Sequence, residues 1–236
     1  MSNIQTTAIP DTEVTYDIPP SAEQKPKLRG WLHAGAAPLL GAGAIVLICV
    51  TPGGMNKAAL AIYLGCALML FINSATYHIG HWGAKVKAVL RRIDHSNIYL
   101  FVAGTYTPLS MMLLTGTSRV VILSVIWGLA VAGVLFRVLW LGAPRWLYTG
   151  MYVVMGWVAV WWLPQFWSNG TPAIPILIIV GGVAYSLGAV VYSRKWPNPS
   201  QKWFGFHEVF HLCTVIAAAC HWVAILLACL RLIAAA

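Results

Sequence analysis

The sequence predicts an all-α integral membrane protein. It reads as a bundle of seven transmembrane helices, amino terminus in the cytoplasm and carboxyl terminus outside. Three observations predict this. First, of 236 residues, 59% are hydrophobic and 9% charged, against about 45–50% and about 25% in soluble domains. One globule of this size cannot hide so much apolar surface from water. A soluble enzyme, a disordered chain and a secreted disulfide scaffold all fit poorly. Second, the apolar residues fall into seven runs, each near the ~20 residues a bilayer-spanning helix needs. Third, acids are nearly absent. Of six Asp and Glu, four (Asp11, Glu13, Asp17 and Glu23) come before Leu28. Only Asp94 and Glu208 remain in the rest of the chain.

Each element follows in order. Residues 1–28 are polar, hold Pro10, Pro19, Pro20 and Pro26, and lack the apolar core of a signal peptide. They read as a disordered cytoplasmic tail. One transmembrane domain, 29–236, is expected after it. Its apolar runs are 33–51, 58–79, 93–115, 119–141, 146–164, 172–192 and 206–230. They do not alternate and are too long for strands. Turn residues punctuate the connections: Thr51-Pro52-Gly53-Gly54, Ser168-Asn169-Gly170-Thr171-Pro172 and Trp196-Pro197-Asn198-Pro199.

The basic residues orient the bundle. Twelve of the 15 Lys and Arg fall at one end: Lys25, Lys27, Arg29, Lys85, Lys87, Arg91, Arg92, Arg137, Arg145, Arg194, Lys195 and Lys202. Only Lys57, Arg119 and Arg231 fall at the other. Trp31, Trp82, Trp140, Trp146, Trp196 and Trp203 mark the same inner boundary, as an aromatic belt does. The net charge of +9 is thus a topology signal and an attraction to anionic head groups. No nucleic-acid motif accompanies it. Cys49, Cys66, Cys213, Cys220 and Cys229 all fall inside expected helices and read as small buried hydrophobes, not disulfides.

An ionisable group at membrane depth is costly and therefore points to function. His78 ends the second run, Asp94 begins the third, and His207 and His211 begin the seventh. The topology brings all four to the inner leaflet. His81 and His95 are expected at the interface. His207 and His211 are spaced i, i+4, so their imidazoles share one helix face. A third His, His78, completes a His₃ set with an open position, the pattern of catalytic zinc. A His-rich set with one carboxylate favours zinc over magnesium or calcium. Ser74, one turn before His78, shares its face, and Asp94 can hold and deprotonate a water. Each residue has a plainer reading too. A lone His in an apolar helix ordinarily packs and hydrogen-bonds. Asp94 suits a helix start, and Ser74 can bond back to its own helix. His221 lies about 15 Å beyond His211 along the helix and reads as a helix–helix hydrogen bond. His207-Glu208-Val209-Phe210-His211 also matches the H-E-x-x-H pattern of metalloproteases. Little sequence follows His211, so a third ligand for that chemistry is expected from upstream. Glu208 can instead support a His ring or begin a helix.

At these residues the chain resembles the hemolysin III branch of the progestin-and-adipoQ receptor family. The resemblance is carried by Ser74-Ala75-Thr76-Tyr77-His78, by Arg92-Ile93-Asp94-His95-Ser96 with Ala103-Gly104-Thr105-Tyr106-Thr107-Pro108, and by His207-Glu208-Val209-Phe210-His211. It runs from about residue 30 to the end. It implies seven helices, a cytoplasmic amino terminus, and a zinc ion held by His78, His207 and His211. It also implies a water between the zinc and Asp94, with Ser74 nearby. Receptor members, and the similar alkaline ceramidases, are associated with hydrolysis of lipid amides; bacterial members are named for haemolysis. Where receptor members carry a Gln-like residue, this chain has Glu208. The expectation is therefore a zinc-dependent hydrolase of lipid amides or esters in the plasma membrane, with a bilayer lipid as substrate and no nucleic-acid partner. The alternatives are a pore-forming hemolysin, which needs polar residues along a full path, and a zinc-binding receptor without turnover.

Overall fold

The structure, a computed structural model, describes residues 25–140 and 142–235. The expected disordered tail lies outside the described residues as far as residue 24. Its last residues are tied down: the Lys27 amide donates to the Lys202 carbonyl (3.0 Å) and the Leu28 amide to that of Trp203 (3.2 Å). The Lys27 ammonium also lies 4.7 Å over the Trp203 ring.

Every extended element among the described residues is helical: α1 (Trp31–Val50), α2 (Gly54–Ile79), α3 (Ala84–Leu113), α4 (Gly116–Leu139), α5 (Arg145–Trp157), a 3₁₀ turn (Val158–Trp162), α6 (Leu163–Asn169), α7 (Ala173–Arg194) and α8 (Phe206–Ala234). Six segments are long and apolar enough to cross a membrane: α1, α2, α4, the run Arg145–Asn169, α7 and α8. The outer surface is apolar, unlike that of a soluble protein, and polar residues join the apolar core. Leu39, Met55, Val120, Leu139, Val154 and Trp161 are exposed, while Ser74, Asp94, Asn97, Thr105, Ser110 and His211 are buried. That arrangement suits a bundle solvated by lipid.

The element that hydropathy alone does not rank as a span, α3, is the centre of the packing. Its neighbours are α2 and α4, then α8, α5 and α6. At 30 residues it is about 45 Å long. Several of its polar groups are satisfied within the bundle, while the buried Ser96 and Ser110 hydroxyls have no partner among the described residues. Asn97 Nδ2 donates to the Met69 carbonyl (2.8 Å), and Thr105 and Thr107 donate to Phe101 and Ala103 one turn back (2.8 Å each). The helix begins at Ala84, well ahead of the start expected at residue 93. Residues 84–92 are mostly exposed and charged, yet Ala, Lys, Leu and Arg are strong helix formers and extend the helix ahead of the apolar run.

The fifth run, expected as one helix, is interrupted. The Tyr106 hydroxyl donates to the Gly156 carbonyl (2.7 Å) and accepts from the Ala159 amide (2.7 Å). One side chain of α3 thus occupies the backbone groups freed where α5 tightens into 3₁₀. Two glycines set helix spacing. Gly30, before α1, has φ 88° and would press a Cβ to 2.9 Å from the His78 Cβ. Gly104 would press one to 2.7 Å from the Cys66 Cβ, so the α3 backbone packs directly on the Cys66 side chain of α2. All five cysteines are free.

Candidate metal centre

α2 presents His78 in its last turn, and α8 presents His207 and His211 in its first two turns. The three meet although 129 residues separate His78 from His207. Their ligand atoms all lie within 4.8 Å of one another and can hold a metal ion. His207 Nε2 and His78 Nε2 are 3.2 Å apart. Two nitrogens of a tetrahedral zinc site, each ~2.0–2.1 Å from the ion, lie about 3.3 Å apart. The donor set therefore fits a small tetrahedral cation. Two facing imidazole nitrogens otherwise need one shared proton to avoid opposing lone pairs.

Asp94, at the level where α3 becomes buried, points at this set: its Oδ2 is 3.8 Å from His78 Nε2 and 3.8 Å from His95 Nδ1. Ser74, Asp94, His207 and His211 line one cavity of about 30 Å³, room for about one or two waters. Its remaining wall holds Leu70, Ile98, Tyr148, Tyr152, Tyr192 and Phe210 beside the polar His33, His95, Thr149 and Thr214. The rim is cationic. Arg145 lies 5.4 Å over the Tyr192 ring. Lys25, ahead of α1, has its ammonium pKa lowered, first by partial burial and then by Arg29 and Lys87 beside it.

Two residues stand differently from the sequence expectation. His95 is buried, not interfacial, because the face of α3 that carries it turns into the bundle; its Nδ1 is 2.8 Å from the Arg91 carbonyl. His33 escaped notice altogether. It is buried on α1 and stacks on His211 with ring centroids 3.9 Å apart and planes 10° apart; Phe71 meets its ring edge-on at 4.9 Å. Neither of its ring nitrogens has a hydrogen-bond partner among the described residues. The signal was in the sequence: an imidazole in the first turn of an apolar helix, at the depth of the others. His81 is exposed, and His221 bonds across helices to the Ile178 carbonyl at 3.3 Å, as expected for both.

Glu208 faces away from the histidines. Its carboxylate accepts from the Gly205 amide (2.7 Å), capping α8, and pairs with Arg29. At 1% exposure it is committed to structure, not free to serve as the base of an H-E-x-x-H protease.

Comparison with known proteins agrees in kind. The family model described as haemolysin-III related matches residues 21–222. The hemolysin-3 homolog of Bacillus subtilis is 30% identical over 188 residues, 77% of this chain and 87% of that protein. Hemolysin-3 of Bacillus cereus is 31% identical over 170 residues, 71% of this chain and 74% of that protein. The human monocyte to macrophage differentiation factor is 29% identical over 167 residues, 68% and 65% of the two chains.

Proposed function

The chain belongs to the hemolysin III branch of the progestin-and-adipoQ receptor family, and from that premise we propose that it is a zinc-dependent hydrolase of membrane lipids. It is a multi-pass membrane protein. In this reading α3 is the seventh span, the amino terminus is cytoplasmic, the carboxyl terminus is outside, and the membrane is the plasma membrane. The substrate is an amide or ester of a bilayer lipid, taken from the inner leaflet.

The observation that carries the reading is the convergence of three imidazoles and the Asp94 carboxylate, with His207, His211 and Asp94 lining a cavity that has aromatic walls. His78, His207 and His211 hold the zinc ion. When bound, zinc supplies Lewis acidity and brings the acidity of water near neutral pH. Asp94 receives the proton from the attacking water as general base. Ser74, one turn from His78, orients the substrate oxygen with its hydroxyl. Tyr148, Tyr152, Tyr192 and Phe210 exclude bulk water. Glu208 and Arg29 hold α8 in place and do not touch the chemistry.

The test is metal analysis and lipid turnover on one set of proteins. Wild type should carry near-stoichiometric zinc, lost in His78→Ala, His207→Ala and His211→Ala. Asp94→Asn should keep the metal and lose about 10²–10⁴-fold in turnover of lipid amides or esters, followed by mass spectrometry. Unchanged metal content in the histidine variants would sink the site. Bound zinc in a wild type that turns over no lipid amide or ester would favour a receptor in which the metal is structural. The relatives' hemolysin names suggest a pore. Against that, the buried histidines other than His221 converge with Asp94 around one cavity, and the cavity around Thr105, Tyr106 and His221 is separate from it.

A further inference from the structure

Arg137 lies in the last turn of α4 and is completely buried. None of its three guanidinium nitrogens has a hydrogen-bond partner among the described residues. The Tyr148 ring of α5 covers it, 4.4 Å from Cζ. A guanidinium offers five donors and stays charged in a protein. Burying it without counter-charge or acceptor is among the costliest arrangements a fold can hold. The negative end of α4 and the stack on Tyr148 offset part of that cost. Neither gives its N–H groups an acceptor.

The described residues hold no spare acid for it. Glu208 is taken by Arg29 and the Gly205 amide. Asp94 faces His78 and His95. The counter-charge must come from outside these residues. The surroundings indicate what it is. α5 packs chiefly on α7 and only lightly on α4, which leaves a loosely joined seam. Trp140 at the end of α4 and Trp146 at the start of α5 flank that seam, both exposed, at 52% and 68%. Exposed Trp at helix ends marks head-group depth. Basic pockets between helices at that depth seat anionic head groups.

We propose that the α4–α5 seam binds an anionic phospholipid, whose head-group phosphate accepts hydrogen bonds from Arg137. A planar guanidinium presents paired donors to phosphate oxygens. The Tyr148 ring then forms one wall of this seat and also lines the inner cavity. Arg137 itself does not line that cavity, and the seat does not depend on metal.

The test uses the full-length protein, stripped of lipid in neutral detergent. Phosphatidylglycerol should raise its melting temperature saturably, by about 5 °C at saturating ratios. Phosphatidylcholine, oleate and inorganic phosphate should not. Native mass spectrometry should find one retained phosphatidylglycerol per chain. Arg137→Met should abolish both effects, keep wild-type metal content, and melt no lower than wild type when lipid-free, because an unpaired buried cation is gone. Arg137→Lys should keep part of the shift. An equal shift in wild type and Arg137→Met overturns the proposal. An equal shift with oleate or inorganic phosphate overturns the head-group assignment. If Arg137→Met does not fold, the wild-type comparison of the two phospholipids and the native mass spectrum decide alone.

Discussion

His33 and Glu208 show how one side chain can look different from its letter. His33 has no hydrogen-bond partner among the described residues, yet its ring lies flat on His211 at 3.9 Å, where it can limit the rotation of an imidazole of the candidate metal site. Groups that orient metal ligands are worth about 10–100-fold in metal affinity. His33→Ala should therefore weaken zinc binding by about that factor in chelator competition. His33→Phe, which keeps a flat ring, should stay close to wild type. If both variants bind zinc as tightly as wild type, the stack plays no orienting part. Glu208 sits in an H-E-x-x-H match, but its partners are Arg29 and the Gly205 amide. Glu208→Gln keeps an acceptor for the amide and removes the ion pair. It should lower stability by about 1–3 kcal/mol and leave turnover within a few-fold of wild type. A folded, zinc-loaded Glu208→Gln without turnover would restore Glu208 as a base. The sequence made the histidine pair legible through its i, i+4 spacing. It could not show which way Glu208 turns, because that depends on Arg29 arriving from the other end of the chain.

At the scale of elements, α3 and the α5–α6 run depart most from a plain apolar helix. α3 carries its polar residues inward, where α2, α4 and α8 cover them. A hydropathy window averages those residues without knowing which face they occupy. The interruption after α5 is held from α3 by Tyr106, which serves a carbonyl and an amide at once. Removing that hydroxyl leaves two buried backbone groups unpaired. Tyr106→Phe should lower stability by about 1–3 kcal/mol in reversible unfolding, with faster amide exchange at Ala159. Wild-type stability and exchange would mean the 3₁₀ turn stands without it. The sequence contained the break only as a Gly followed by Trp and β-branched residues. The partner that satisfies it lies far upstream, on a different helix.

For the whole molecule, the odd or even number of crossings decides where the ends lie. Six segments qualify as spans by hydropathy. If α3 also crosses, the termini face opposite sides. Reporter fusions should then place the amino terminus in the cytoplasm and the carboxyl terminus outside. Both termini on one side would mean that α3, or another segment, does not cross. The positive-charge bias agrees with the first outcome, since its twelve basic residues sit at one end of a seven-span bundle.

Composition and hydropathy by themselves determined the membrane class, most of the helices and the spacing of the histidines along them. Those properties depend on how many apolar residues occur and at what spacing. They also determined that Asp94 and Glu208 are the only acids the chain carries after Glu23. Only the tertiary structure decided what the two acids do. Asp94 faces the histidines while Glu208 turns to Arg29, and Arg137 is left with neither. A charge takes its role from the partner that reaches it, and helices far apart in sequence supply those partners. Packing had to bring them together before the roles could be read.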